Sequence, residues 1–283
     1  MTASTHIDFK QVRLAFIGGG NMASAILGGL MKQGLAQNQV VVIEPFAETA
    51  AKLQTAFGVE VHAGASDAAE VLGHAHLVIW AVKPQVFKEA AMPVAAFTQS
   101  ALHLSVAAGI RTDSIARWLH TERVVRSMPN TPALVGQGMT GLFAREGVST
   151  SDKQLVEQVL HSTGEWLWVK QESDLDVVTA LSGSGPAYVF YFLEAMTEAG
   201  VQMGLSQEQA YHLATATFGG ATHLARQSSD SPEVLRQRVT SKGGTTYAAL
   251  TSMAQAHVKE AFVTAMLAAQ KRAGELGDEF GKD

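Results

Sequence analysis

Between residues 12 and 128 short apolar runs alternate with stretches of helical spacing, and most of the runs stop at a glycine or a proline. The runs fall at residues 12–17 before Gly18-Gly19-Gly20, 40–43 before Glu44-Pro45, 59–61, 77–82 before Lys83-Pro84, 102–107 before Gly109, and 124–128 before Pro129. After the first run Ala23, Ile26, Leu27 and Leu30 recur at helical spacing, and Gly34 is placed to end that helix. A helical stretch follows the second run over residues 47–57. Buried strands alternating with helices predict an α/β fold with a Rossmann-type, doubly wound parallel sheet. Residues 140–143 and 166–169 read as later strands at the sheet's edge.

After about residue 172 long helical patterns replace the short runs. Pro186 suits the first turn of a helix reaching about Gly204. Ser206 and Gln209 form a capping-box pattern, and Ser231-Pro232 starts a shorter helix. One last helix is expected from Thr245, with Tyr247, Leu250, Ala254, Val258, Ala261, Phe262, Ala265 and Ala269 on its apolar face. The predicted domains are a dinucleotide-binding domain over 1–170 and an all-helical domain over 171–283, a normal division for 283 residues.

Several function classes drop out on composition. The chain has no cysteine, which excludes disulfides and thiolate chemistry. Its net charge is −5 and it has no basic run, so nucleic acid is not an expected partner. No apolar run reaches the roughly 18 residues of a membrane span, and residues 1–11 lack a signal peptide's apolar stretch; a cytoplasmic protein is expected. Charged residues make up only 17%, which points to surface buried in an oligomer.

Gly18-Gly19-Gly20-Asn21-Met22-Ala23 matches the G-x-G-x-x-A fingerprint between a strand and a helix. Gly18 permits the tight turn, Gly20 lets the backbone approach a pyrophosphate, and Ala23 allows close helix packing. Glu44, 24 residues after Gly20, stands where a carboxylate accepts hydrogen bonds from the ribose of NAD and repels the 2′-phosphate of NADP. No arginine lies between Pro45 and Ala51, which favours NADH, although the cofactor is left as NADPH or NADH.

Two glycine-rich segments precede helical stretches in the second half: Leu181-Ser182-Gly183-Ser184-Gly185-Pro186 and Thr240-Ser241-Lys242-Gly243-Gly244-Thr245-Thr246. Each is expected to leave backbone N–H groups free at a helix start, either for a small carboxylate or as a simple cap. None of the four tyrosines has a lysine four residues later, and no P-loop or H-E-x-x-H motif occurs. His74-Ala75-His76 lacks further ligands, and no metal is expected.

Phe16-Ile17-Gly18-Gly19-Gly20-Asn21-Met22, Ala81-Val82-Lys83-Pro84, Met128-Pro129-Asn130-Thr131-Pro132-Ala133, Ser182-Gly183-Ser184-Gly185-Pro186-Ala187-Tyr188 and Gly243-Gly244-Thr245-Thr246 together resemble the signature segments of the pyrroline-5-carboxylate reductase family. The resemblance spans most of the chain. It implies reduction of 1-pyrroline-5-carboxylate to proline by NAD(P)H, and a homodimer with interlocked C-terminal helices that can assemble into a larger ring. It also implies that Gly18, Gly19, Gly20, Asn21, Met22, Ala81, Val82, Lys83, Pro84, Ala107, Ala108 and Gly109 line the dinucleotide. Ser241, Gly243, Gly244 and Thr245 would meet the substrate carboxylate, Ser184 and Gly185 would close the pocket, and the Thr246 hydroxyl would meet the ring nitrogen.

Two positions depart from the family. Lys242 replaces the usual proline and either attracts the carboxylate or, as expected of an ordinary lysine, points into solvent. Glu44 stands where members that prefer NADPH are often neutral. Two rivals are weighed. A β-hydroxyacid dehydrogenase needs a lysine where Val189 stands, and a dinucleotide sensor without turnover would not need the Ser184 and Gly243–Thr246 segments.

Overall fold

A computed structural model describes residues 11–281. Through residue 168 it has β1 (Leu14–Ile17), α1 (Asn21–Lys32), β2 (Val40–Ile43), α2 (Ala47–Phe57), β3 (Glu60–His62), α3 (Ala69–Gly73), β4 (Leu77–Trp80), α4 (Phe87–Ala95), β5 (Leu102–Ser105), α5 (Thr112–Leu119), β6 (Val124–Met128), β7 (Gly138–Ala144), α6 (Thr150–Leu160) and β8 (Gly164–Trp168). The strands form one sheet in the order β3-β2-β1-β4-β5-β6-β7-β8. Pairing is parallel from β3 to β6; β7 runs antiparallel to β6, and β8 parallel to β7. Leu14 stands opposite both Val40 and Leu77, which fixes the central register.

Every residue of β1, β2, β4 and β5 is buried, as a parallel sheet covered on both faces requires. Alternate side chains feed two cores. Leu14 and Phe16 pack with Ile26 and Leu27 of α1 and Val156 and Val159 of α6, while Ala15 and Ile17 join Trp80, Phe87 of α4 and Ile115 of α5. The glycine at the end of α1 is Gly34, at φ +95°, a left-handed conformation that a Cβ disfavours.

The later elements are α7 (Asp174–Val178), α8 (Gly185–Gln202), α9 (Gln207–Gln227), α10 (Pro232–Arg238), α11 (Thr245–Gln255) and α12 (Val258–Phe280). The predicted caps are present: the Ser206 hydroxyl accepts the Gln209 N–H and the Gln209 carboxamide accepts the Ser206 N–H, while Ser231 caps α10. The single last helix expected from Thr245 is instead two. It breaks at Ala256-His257, where His257 takes φ +52°. The apolar stripe continues across the break, so periodicity alone could not signal it.

The chain packs as two units, one running through Ser184 and resuming at Ala269, the other covering Gly185–Ala268. Packing therefore divides later than the change of pattern near residue 170, for two reasons within the first unit. Leu175 and Val178 of α7 lie against β7 at Gly141. The end of α12 returns to the sheet, where Phe280 joins the second core and Asp278 pairs with Arg111 at 2.6 Å. In the second unit only Gly200, Ala210 and Ala214 are buried among the described residues. No helix among the described residues is long and apolar enough to cross a membrane.

Candidate active site

The sheet order reverses between β1 and β4, so the loops leaving these strands diverge and open a crevice at their carboxyl ends. Gly18 sits there at φ +91°. A Cβ on it would lie 2.7 Å from the Ala81 carbonyl oxygen and 3.0 Å from Val82 Cγ1, so conformation and contact both require glycine. A Cβ on Gly20 would meet no atom within 4 Å, which leaves the backbone open to a ligand. Ala23 is buried against the sheet, Met22 packs at the edge of the first core, and Asn21 is exposed.

Most other helix starts are occupied by a polar or acidic group. Ser149 caps α6, Ser206 caps α9, Ser231 caps α10 and the Glu172 carboxylate accepts the Thr112 N–H of α5 at 2.7 Å, while α2, α3 and α4 have no side-chain cap but carry Glu48, Glu70 and Glu89 in their first turns. By contrast α1 and α11 both begin at a glycine, with no side-chain cap and no acidic residue in the first turn. Their N–H groups and positive dipole ends remain available to an anion.

Glu44 is buried at the end of β2. Its Oε2 accepts the Gly19 N–H at 2.8 Å and its Oε1 accepts the Phe46 N–H at 2.9 Å. Gly19 was given no separate reason by sequence; a Cβ there would press on the Leu53 side chain and lie 3.2 Å from Glu44 Oε2. The carboxylate thus ties the glycine loop to the loop after β2, and each oxygen retains a lone pair for a ribose hydroxyl. The nearest following cation, Lys52, pairs with Glu48 at 2.7 Å.

Strand β4 ends at Trp80, which places Ala81-Val82-Lys83-Pro84 in the connecting segment at the crevice, with Lys83 exposed. Ala107 donates its N–H to Ser105 Oγ at 3.3 Å, and Ala108 follows it. Gly109, at φ +75°, receives Leu276 and Phe280 of α12, each 3.2 Å from where its Cβ would be. A dinucleotide would meet, at this crevice, the open backbone at Gly20, the uncapped start of α1 and the carboxylate of Glu44.

The two substrate segments differ. Ser182–Pro186 is not a loop at a helix start. The chain runs from α7 to α8 through a π-turn, Thr179–Gly183, and the Ser184 N–H donates to the Thr179 carbonyl at 2.8 Å. Its N–H groups are therefore not a free nest, because tertiary packing carries the glycine-rich stretch through a helical path. At the other segment Gly243 takes φ +75° and the Gly244 N–H closes a turn on the Ser241 carbonyl at 3.1 Å. The donors that helix geometry leaves open are those of Thr245, Thr246 and Tyr247. The hydroxyls of Ser184 and Thr246, both half-buried, have no hydrogen-bond partner among the described residues. Lys242 is exposed. His76 Nδ1 accepts the Arg13 N–H at 3.1 Å, and among the described residues no three His, Asp or Glu side chains group to hold a metal.

Sequence reasoning missed two groups. Asn130, quoted in a motif without a role, donates Nδ2 to the Ser182 carbonyl and hydroxyl. His103 is wholly buried and hydrogen-bonded to Trp80 at the base of the Ala81–Pro84 segment. The signal for Asn130 was Pro186, which deprives a helical carbonyl of its donor; His103 gave none.

The crevice, the carboxylate at the end of β2 and the helices of the second unit define the class of two-part dinucleotide-binding proteins, a Rossmann-type sheet followed by a helical region. A model of NADP oxidoreductase, coenzyme F420-dependent, matches residues 13–109, and one of pyrroline-5-carboxylate reductase dimerisation matches 172–276. Pyrroline-5-carboxylate reductase of Pseudomonas aeruginosa is 44% identical over 95% of this chain and 98% of its own length; that of Escherichia coli is 34% identical over 93% and 98%. The solved structure of a pyrroline-5-carboxylate reductase from Coxiella burnetii superposes with a TM-score of 0.86 at 37% identity, covering 94% of this chain and 98% of that one. That of Plasmodium falciparum pyrroline carboxylate reductase with NADP bound gives 0.83 at 28%, covering 95% and 99%. The chain belongs to the pyrroline-5-carboxylate reductase family.

Proposed function

We propose that the chain reduces 1-pyrroline-5-carboxylate to proline, working as a cytoplasmic homodimer. The observation that carries this reading is the pair of uncapped glycine helix starts, one at a dinucleotide crevice and the other beside the Thr246 hydroxyl, which has no hydrogen-bond partner among the described residues. The first suits a pyrophosphate and the second a small carboxylate. A reduced nicotinamide dinucleotide, held along Gly18–Met22, Ala81–Pro84 and Ala107–Gly109, supplies the hydride.

The residues of the chain do the rest by placement. The start of α11, from this chain or its partner, takes the substrate carboxylate on the N–H groups of Thr245 and Thr246, with Ser241, Gly243 and Gly244 shaping the turn. The cyclic imine arrives with its nitrogen protonated, and that N–H donates to the Thr246 hydroxyl. Hydride addition at the imine carbon neutralises the iminium charge and leaves the proton on the nitrogen. No side chain needs to act as a strong acid. Ser184 and Gly185 border the ring. Loss of absorbance at 340 nm with this substrate tests the assignment, and no loss with either NADH or NADPH defeats it. Thr246→Ala lowers kcat/KM by about 10- to 100-fold, the loss of one oriented hydrogen bond; a wild-type rate removes Thr246 from the mechanism.

Glu44 makes NADH the better reductant. The ribose 2′-phosphate of NADPH meets a buried carboxylate, and the nearest following cation is engaged elsewhere. In Glu44→Gln the charge goes while Oε1 still accepts one loop N–H, so the NADPH-to-NADH ratio of kcat/KM rises by at least about fivefold, since a like-charge contact at about 4 Å is worth about 1 kcal/mol even in bulk water. An unchanged ratio shows that Glu44 does not face the ribose.

A further inference from the structure

The passage from α7 to α8 turns on a detail of the backbone. A π-turn inserts one residue into a helix, rotating everything after it by roughly 100° about the axis. The turn at Thr179–Gly183 therefore decides which way Ser184 faces.

What holds the turn is visible in its polar bookkeeping. Pro186 has no N–H to offer the carbonyl four residues back, that of Ser182. Asn130 supplies the missing donor. Its Nδ2 lies 3.2 Å from the Ser182 carbonyl oxygen and 3.1 Å from the Ser182 hydroxyl. Its Oδ1 accepts the Met139 N–H at 2.9 Å, which anchors the amide to β7. The neighbouring Met128 packs its terminal methyl on Gly183, so a Cβ there would displace that methyl. Asn130 also opens the short turn Thr131–Val135, which packs against α1. One carboxamide thus links the sheet's carboxyl edge to the turn that precedes Ser184, whose hydroxyl is left without a partner among the described residues.

We propose that Asn130 is a positioning residue for the imine substrate: by holding the Ser182 carbonyl it keeps the π-turn in place and so aims Ser184 at the ring. The inference rests on the reductase reading above. Asn130→Asp keeps the acceptor for the Met139 N–H and removes both donors. Pro186→Ala restores an N–H to Ser182, which competes with Asn130 and draws the π-turn towards a regular α-turn.

Steady-state kinetics with the imine, with NADH affinity followed by fluorescence titration, test this in the full-length protein. The expected result for both variants is an imine KM raised by about tenfold, the loss of one positioned hydrogen bond, with NADH affinity within about twofold of wild type. Ser184→Ala should raise the KM in the wild-type background and add little to Asn130→Asp, because both act on one contact. An unchanged imine KM, a parallel loss of NADH affinity, or full additivity with Ser184→Ala overturns the proposal. If Asn130→Asp does not fold, Pro186→Ala decides alone by the same KM-against-affinity criterion. Wild-type protein that fails to reduce the imine defeats the reaction assignment; active wild type with unaffected variants defeats only this inference.

Discussion

Phe190→Asp combined with Leu213→Asp yields a chain that runs as a monomer and loses turnover of the imine by more than about 100-fold, since burying even one unpaired carboxylate costs several kcal/mol. The reason lies in the lack of an interior in the second unit. Across residues 185–268 the only buried side chains are methyl groups and hydrogens, those of Gly200, Ala210 and Ala214. Phe190 is 57% exposed, Leu213 55% and Leu267 59%. Ordering a residue costs roughly 1–2 kcal/mol of backbone entropy, and helices with so little buried surface cannot offset that alone. Something covers them, and the match of this region to a dimerisation model makes a second copy the natural cover. In a monomer the two new aspartates sit largely in water and cost little. In a dimer they must be desolvated, so the association equilibrium alone takes the loss. Light scattering with a parallel activity assay checks this. A fully active dimer carrying both aspartates would show that α8 and α9 do not meet the second copy.

The parallel sheet was legible because its strands are buried on both faces and so read as unbroken apolar runs, with glycine or proline marking each exit. The direction of β7 was not, since an edge strand carries no sign of its partner's polarity. The stretch 182–186 spells a loop by composition, yet Met128 and Asn130, more than fifty residues earlier, hold it in a helical path. Local propensity is a weak prior against such contacts. The break at His257 escaped for a related reason: a left-handed non-glycine residue leaves no compositional mark. In the candidate site Glu44 could be found by its distance from the glycine loop. Its grip on the Gly19 N–H could not, because that bond needs the register of β1 beside β2.

His103 is the clearest case of a group that only the folded chain explains, and it carries the second large effect. Stability falls by about 3 kcal/mol as pH drops from 6.5 to 4, because 2.5 pH units at 1.36 kcal/mol each separate its two states. Its Nδ1 accepts the Trp80 Nε1–H at 3.0 Å, and its Nε2 lies 3.1 Å from the Thr98 carbonyl. The neutral ring with the proton on Nε2 satisfies both contacts. A second proton would set two donors face to face inside the core. Burial accordingly lowers the pKa from 6.5 to about 4. The sign follows from proton counting. The unfolded chain takes up the proton near pH 6.5 and the folded chain does not until about 4, so acid favours unfolding across that window, while above pH 6.5 the term is fully in place. Asp152, held below the usual carboxylate range by Arg123 and Ser149 against the cost of its burial, loses its contribution only at lower pH. Asp176, raised by desolvation, works in the opposite direction, but it is partly solvated and screening reduces its weight. Urea midpoints at pH 7.5, 5.5 and 4.5, taken at one protein concentration, read the slope. In His103→Gln the baseline drops, since the Trp80 N–H loses a well-placed acceptor, but the slope between pH 6.5 and 4 flattens. An equally steep slope in that variant would move the acid sensitivity away from His103.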